Sequence, residues 1–173
     1  MNFKRLFLCL IMFSCTALTR IHAQGMMVPQ PLNNLVYDAM VGEWTGESDM
    51  MGTRMTETMS IRWGLGHQFL VIELHAVGKN NPAVTYDGMG LFGQDEKGNA
   101  VTWWFDSMGP SGVSTGTGTF TPNKLEIKNG NAKFTETRSF EVKEGVLYSI
   151  AKGTMTMNGK ETNYNLTTVY TKK

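Results

Sequence analysis

TPNKLEIKNGNAKFTETRSFEVKEG, residues 121–145, contains three turn signals: Thr121-Pro122-Asn123, Asn129-Gly130-Asn131 and Lys143-Glu144-Gly145. Proline presets φ, glycine accepts positive φ and asparagine bonds to its own backbone, so each cluster reverses the chain. Between the last two turns the even positions are Phe134, Glu136, Arg138, Phe140 and Val142, opposite Thr135, Thr137, Ser139 and Glu141. A period of two belongs to a strand that turns one face inward.

The same punctuation runs through the rest of the chain. DMMG (49–52), GLGH (64–67), GKNNP (78–82), DEKGN (95–99) and GPSG (109–112) precede the quoted stretch, and Asn158-Gly159 follows it. Nine turns therefore separate ten strands, spaced at about the 8–12 residues expected of an all-β chain. Abundant threonine, valine and aromatic residues agree with that class. Connections this short favour an up-and-down meander, and ten strands would leave two long edges unless the sheet closed on itself. The expectation is an all-β, ten-stranded antiparallel up-and-down barrel, wide enough for a small-ligand cavity. Upstream, Leu32, Leu35, Val36 and Ala39 recur at helical spacing and predict one short helix within Pro31 to Met40.

The first residues, MNFKR, are basic, and LFLCLIMFSC follows as an apolar run too short to span a bilayer. Residues 1–23 read as a signal peptide cleaved after Ala23, and 24–173 as one barrel domain, secreted or periplasmic. Lipoprotein processing at Cys15 is the alternative, opposed by bulky Phe13 where a small residue is expected. Cleavage would remove Cys9 and Cys15, and with them any disulfide, thiolate nucleophile or cysteine metal ligand. It would also remove Lys4, Arg5 and Arg20, leaving 13 basic against 15 acidic residues and a formal charge of −2. No basic field remains to attract nucleic acid or an anionic membrane.

Strand parity nominates the interior. In Arg54 to Trp63 the odd face carries Met55, Glu57, Met59, Ile61 and Trp63, and in the last strand one face carries Tyr164, Leu166, Thr168 and Tyr170. Charges on an apolar face are costly unless paired or wet. Inward Glu57, Glu136 and Arg138 therefore imply an internal salt bridge or a water-filled cavity, in which Arg138 could grip an anion through its fork. The predicted lining is Trp44, Met55, Met59, Phe134, Tyr148 and Tyr164, with Arg138 and Glu57 as polar handles.

Other motifs carry less. Gly88-Met89-Gly90-Leu91-Phe92-Gly93 matches a dinucleotide fingerprint but runs into a turn and a strand where that site needs a helix. Glu73 and His75 lie two apart on a strand without a third ligand, so no metal site is expected. In Val101 to Gly109, VTWWFDSMG, Val101, Trp103 and Phe105 share one face and Thr102, Trp104 and Asp106 the other. One aromatic set fills the interior while the other covers the outside beneath the N-terminal helix. Parity alone makes Asp106 a rim residue.

Val41-Gly42-Glu43-Trp44-Thr45-Gly46 resembles the G-x-W-x-G opening of lipocalin-like and nitrobindin-like calycin barrels. Trp104-Phe105-Asp106-Ser107-Met108-Gly109, Phe69-Leu70, Asp87-Gly88-Met89-Gly90 and Asn158-Gly159-Lys160-Glu161 resemble a narrower group: a bacterial, often secreted, lipocalin-like family carried as a domain of unknown function. The resemblance implies the barrel and makes Asp106 a candidate ligand-binding residue. Nitrobindin-like barrels hold haem through a late histidine, yet none follows His75, so no cofactor is expected. Fatty-acid-binding barrels use R-x-Y on the final strand, which here reads Val169-Tyr170-Thr171-Lys172, leaving that grip to Arg138 or Arg62.

The resulting expectation is a non-enzymatic barrel that binds a small apolar or amphipathic molecule. An enzyme using Glu57 or Asp106 for proton transfer, or a solid barrel serving as an interaction module, is the alternative.

Overall fold

The computed structural model describes residues 29–50, 52–157 and 159–173, and the barrel lies within the compact unit Pro31–Lys173. The expected signal peptide falls outside the described residues. One helix, α1 (Leu35–Met40), precedes β1 (Gly42–Met50), β2 (Thr53–Gly64), β3 (Phe69–Gly78), β4 (Thr85–Gln94) and β5 (Ala100–Asp106). A short 3-10 turn, Gly109–Gly112, leads to β6 (Ser114–Thr121), β7 (Lys124–Gly130), β8 (Phe134–Lys143), β9 (Val146–Met157) and β10 (Lys160–Lys172). Each strand pairs antiparallel with its sequence neighbours, and β1 also pairs with β10, closing the barrel. Closure leaves no unpaired edge to template aggregation.

All nine reversals fall where the turn residues place them. At the β8–β9 connection Glu144 and Gly145 both take positive φ, 53° and 77°. That is the primed two-residue turn whose twist matches antiparallel strands.

The helix is shorter than its spacing predicts. Asn34 caps it, its side chain accepting the Val36 and Tyr37 amides at 3.0 Å each, so the chain before it is not helical. Leu35 consequently points outward at 78% exposure, while Val36, Tyr37 and Met40 enter the core. Tyr37 meets Trp63 and Phe120 edge-on at 5.9 and 5.1 Å and donates to the Gly93 carbonyl at 3.0 Å. Trp44 donates its indole N–H to the Met40 carbonyl at 2.8 Å, satisfying one orphan acceptor at the helix C-terminus.

These contacts seal one half of the lumen. Trp44, Met59, Ile61, Leu70, Ile72, Phe92, Leu125, Phe140 and Leu147 pack there with the helix, none more than 6% exposed. Trp103 and Phe105 lie on the outer wall, each 37% exposed. The helix does not cover them, because its apolar side is spent on Trp63, Phe120 and the sealed lumen. Trp104, on the opposite face of β5, points into the barrel.

Candidate functional site

The other half of the lumen is polar. β2, β4, β5, β8 and β10 bring Glu57, Tyr86, Trp104, Asp106, Glu136, Arg138, Tyr164 and Tyr170 to its inner face, in the register Ala76↔Tyr86, Gly88↔Asp106 and Gly153↔Tyr164. Among the described residues, no buried side-chain nitrogen or oxygen lacks a hydrogen-bond partner.

Three tyrosine–carboxylate pairs surround one guanidinium. Tyr164 donates to Glu136 Oε2 at 2.8 Å, Tyr86 to Asp106 Oδ2 at 3.2 Å, and Tyr170 to Glu57, which also accepts from Ser48. Arg138 holds Glu136 bidentately, Nε to Oε1 at 2.7 Å and Nη2 to Oε2 at 3.2 Å, and donates from Nη1 to Ser149 Oγ at 3.2 Å. Asn129 adds a bond to Glu136 at 3.3 Å and accepts from Thr102 at 3.0 Å.

Burial and then the neighbouring carboxylates hold the Tyr86, Tyr164 and Tyr170 phenols above the ordinary tyrosine range, so all three are protonated donors at neutral pH. Burial alone would raise Glu136, but the Arg138 charge and its hydrogen bonds outweigh it and keep the carboxyl below its usual range. Burial likewise opposes the charge on Arg138, and Glu136 more than restores it. The pair is mutually neutralised. Among the described buried and half-buried side chains of this half, the carboxylates of Glu57, Asp106 and Glu136 against the one guanidinium of Arg138 leave a formal −2.

Three of the predicted lining residues fill space instead of bordering it. Trp44 and Met59 belong to the sealed core, while Met55 is 1% exposed beside Ser48. Phe134, Arg138 and Tyr164 face inward with surface still accessible, and Glu57 is 2% exposed. Tyr148 is the correction. It pairs with Val169, which is 45% exposed on the outer wall, because β9 sends Leu147, Ser149 and Ala151 inward. Arg138 is the second: its fork already grips Glu136, so it is not a free handle for an acidic ligand.

Asp106 faces inward and does two jobs. Its Oδ1 accepts the Met108 amide at 2.9 Å, tying down the 3-10 turn, and a Cβ at Gly112 would overlap that carboxylate. Its Oδ2 takes the Tyr86 phenol, whose oxygen in turn accepts the Trp104 indole N–H at 3.0 Å. Both carboxylates considered for proton transfer are thus held by fixed donors. Glu73 and His75 lie outside, bonded to Arg62 at 3.0 Å and Asp87 at 2.6 Å, and no cluster of three metal-ligating side chains occurs among the described residues.

Parity reasoning passed over Tyr86 and gave Trp104 no role. The signal available was Gly88 and Gly90, two missing side chains on the same face of the strand that carries Tyr86.

These features define a closed ten-stranded antiparallel barrel with one sealed and one polar half. No family model matches the chain, and no curated protein matches it. Among solved structures it is similar to the crystal structure of Rv2717c from M. tuberculosis, with a TM-score of 0.58 and 14% identity over 78% of this chain and 93% of that one. At that identity the likeness shows the fold alone. Among the described residues no helix is long and apolar enough to cross a membrane.

Proposed function

We propose that the protein is a secreted or periplasmic, lipocalin-like (calycin) barrel that binds a small, largely apolar molecule in the polar half of its lumen. One observation carries this reading. Arg138 points inward yet keeps 27% of its side chain accessible, beside half-buried Tyr86, Trp104, Phe134 and Tyr164, whereas the opposite half is packed shut. Aromatic walls with a few converging polar groups are the usual make-up of a ligand site.

Native mass spectrometry of protein taken from its own cell envelope tests this. The expected spectrum shows a chain beginning near Gln24 and a co-purified small molecule lost on denaturation. A bare chain whose melting is unmoved by any member of an aromatic and fatty-acid panel would refute binding. An intact N-terminus would refute the processing.

A further inference from the structure

The indole of Trp104 lies against bare backbone. A Cβ at Gly88 would collide with Cζ2 and stand 2.9 Å from Cε2, while one at Gly90 would stand 2.9 Å from Cε3 and 3.1 Å from Cζ3. Two positions on one face of β4 thus meet opposite edges of the six-membered ring, so the ring packs against the strand where side chains are missing. Its edge is pinned as well: the indole N–H donates to Tyr86 Oη, and Tyr86 is held by Asp106. β4 backs the ring on one side and the apolar core packs against it, while Trp104 as a whole stays half-buried with some surface accessible. A rigid aromatic plane whose orientation is set in advance binds without first having to be ordered.

Charge narrows what that plane can hold. Arg138 is neutralised by Glu136, while Glu57 and Asp106 have only neutral donors, Ser48 and Tyr170 for one, Tyr86 and the Met108 amide for the other. A ligand carboxylate entering here would meet excess negative charge. A cation would be attracted by it and by the ring face.

We infer that Trp104 is a stacking platform for a planar aromatic ligand that is cationic or rich in hydrogen-bond donors, braced against β4 at Gly88 and Gly90 and oriented by Tyr86 and Asp106. This rests on the small-molecule reading above and names its ligand class.

Three probes separate the possibilities: proflavine, planar and cationic; acridine carboxylate, planar and anionic; and palmitate, flexible and anionic. Titration should give one proflavine per barrel, with acridine carboxylate weaker. Trp104→Leu and Gly88→Ala should each weaken proflavine about tenfold, the scale of one aromatic contact plus lost orientation. Tyr86→Phe keeps the ring volume and removes the pin, so it should weaken binding severalfold and decides the matter if Trp104→Leu does not fold. Trp103→Leu, on the outer wall, should change nothing. Proflavine binding that is indifferent to Trp104→Leu and Tyr86→Phe overturns the platform. Palmitate or acridine carboxylate binding in preference to proflavine overturns the ligand class while leaving the binding reading standing. Failure of all three probes overturns the platform and its ligand class, and the binding reading then stands or falls on the native mass spectrum and the wider panel.

Discussion

Replacing Arg138 by methionine removes the only cation among the described side chains of the polar lumen and strands Glu136, whose side chain is 8% exposed. Breaking a buried pair from one side costs about 3–5 kcal/mol. Two features favour the lower end of that range: Arg138 is itself 27% exposed, and Glu136 keeps its bonds from Tyr164 and Asn129. We expect a loss of about 3 kcal/mol, or roughly 6–12 °C in Tm for a chain of this size. Glu136→Gln in the same background should recover part of it, because no charge is then left without a partner. The pH dependence carries the diagnosis. In the native protein the Glu136 carboxyl titrates lower than in the unfolded chain. Its contribution is therefore present above the unfolded pKa of about 4.3 and is lost as pH falls through the native value. In Arg138→Met the stranded carboxyl titrates high, so the gap between the two proteins should be widest near neutral pH and shrink on acidification. Thermal melts of wild type, Arg138→Met and Arg138→Met/Glu136→Gln across that range measure it. A penalty below about 1 kcal/mol, or one independent of pH, would show that the pair is not what holds this charge in place.

Trp44→Ala empties a site with 0% exposure and frees the Met40 carbonyl, and should cost about 3–5 kcal/mol in chemical denaturation. Tyr170→Phe removes one of the two hydroxyl donors on buried Glu57 and should cost about 1–3 kcal/mol; no measurable loss in a urea melt would mean that Glu57 is satisfied without it. Haemin should give no stoichiometric Soret shift, because His75 bonds to Asp87 on the outer wall and His67 stacks on Trp63 at the β2–β3 turn; a shift abolished by His75→Ala would refute this.

Turns and strand parity were legible because they are local. A positive φ at Gly145 or an alternation such as Phe134, Glu136, Arg138 and Phe140 depends on neighbours within a few residues, so ten strands, nine reversals and the inward direction of most candidates could be read directly. β9 was not legible in this way. Leu147 and Ala151 occupy one face and Tyr148 and Ile150 the other, so both faces are apolar enough to be buried and parity cannot choose between them. Closure chose: pairing Tyr148 with Val169 turned it outward and Ser149 in toward Arg138. Tertiary structure also decided which polar groups met. Glu57 and Tyr170 stand 113 residues apart, joined because β1 lies between β2 and β10, and Tyr86 reaches Asp106 and Trp104 only through the β4–β5 register. Strand parity could nominate an inward arginine as an anion grip. Only the assembled barrel showed it already bound to Glu136, because the preference of a buried charge is set by whichever partners the fold brings within hydrogen-bonding distance.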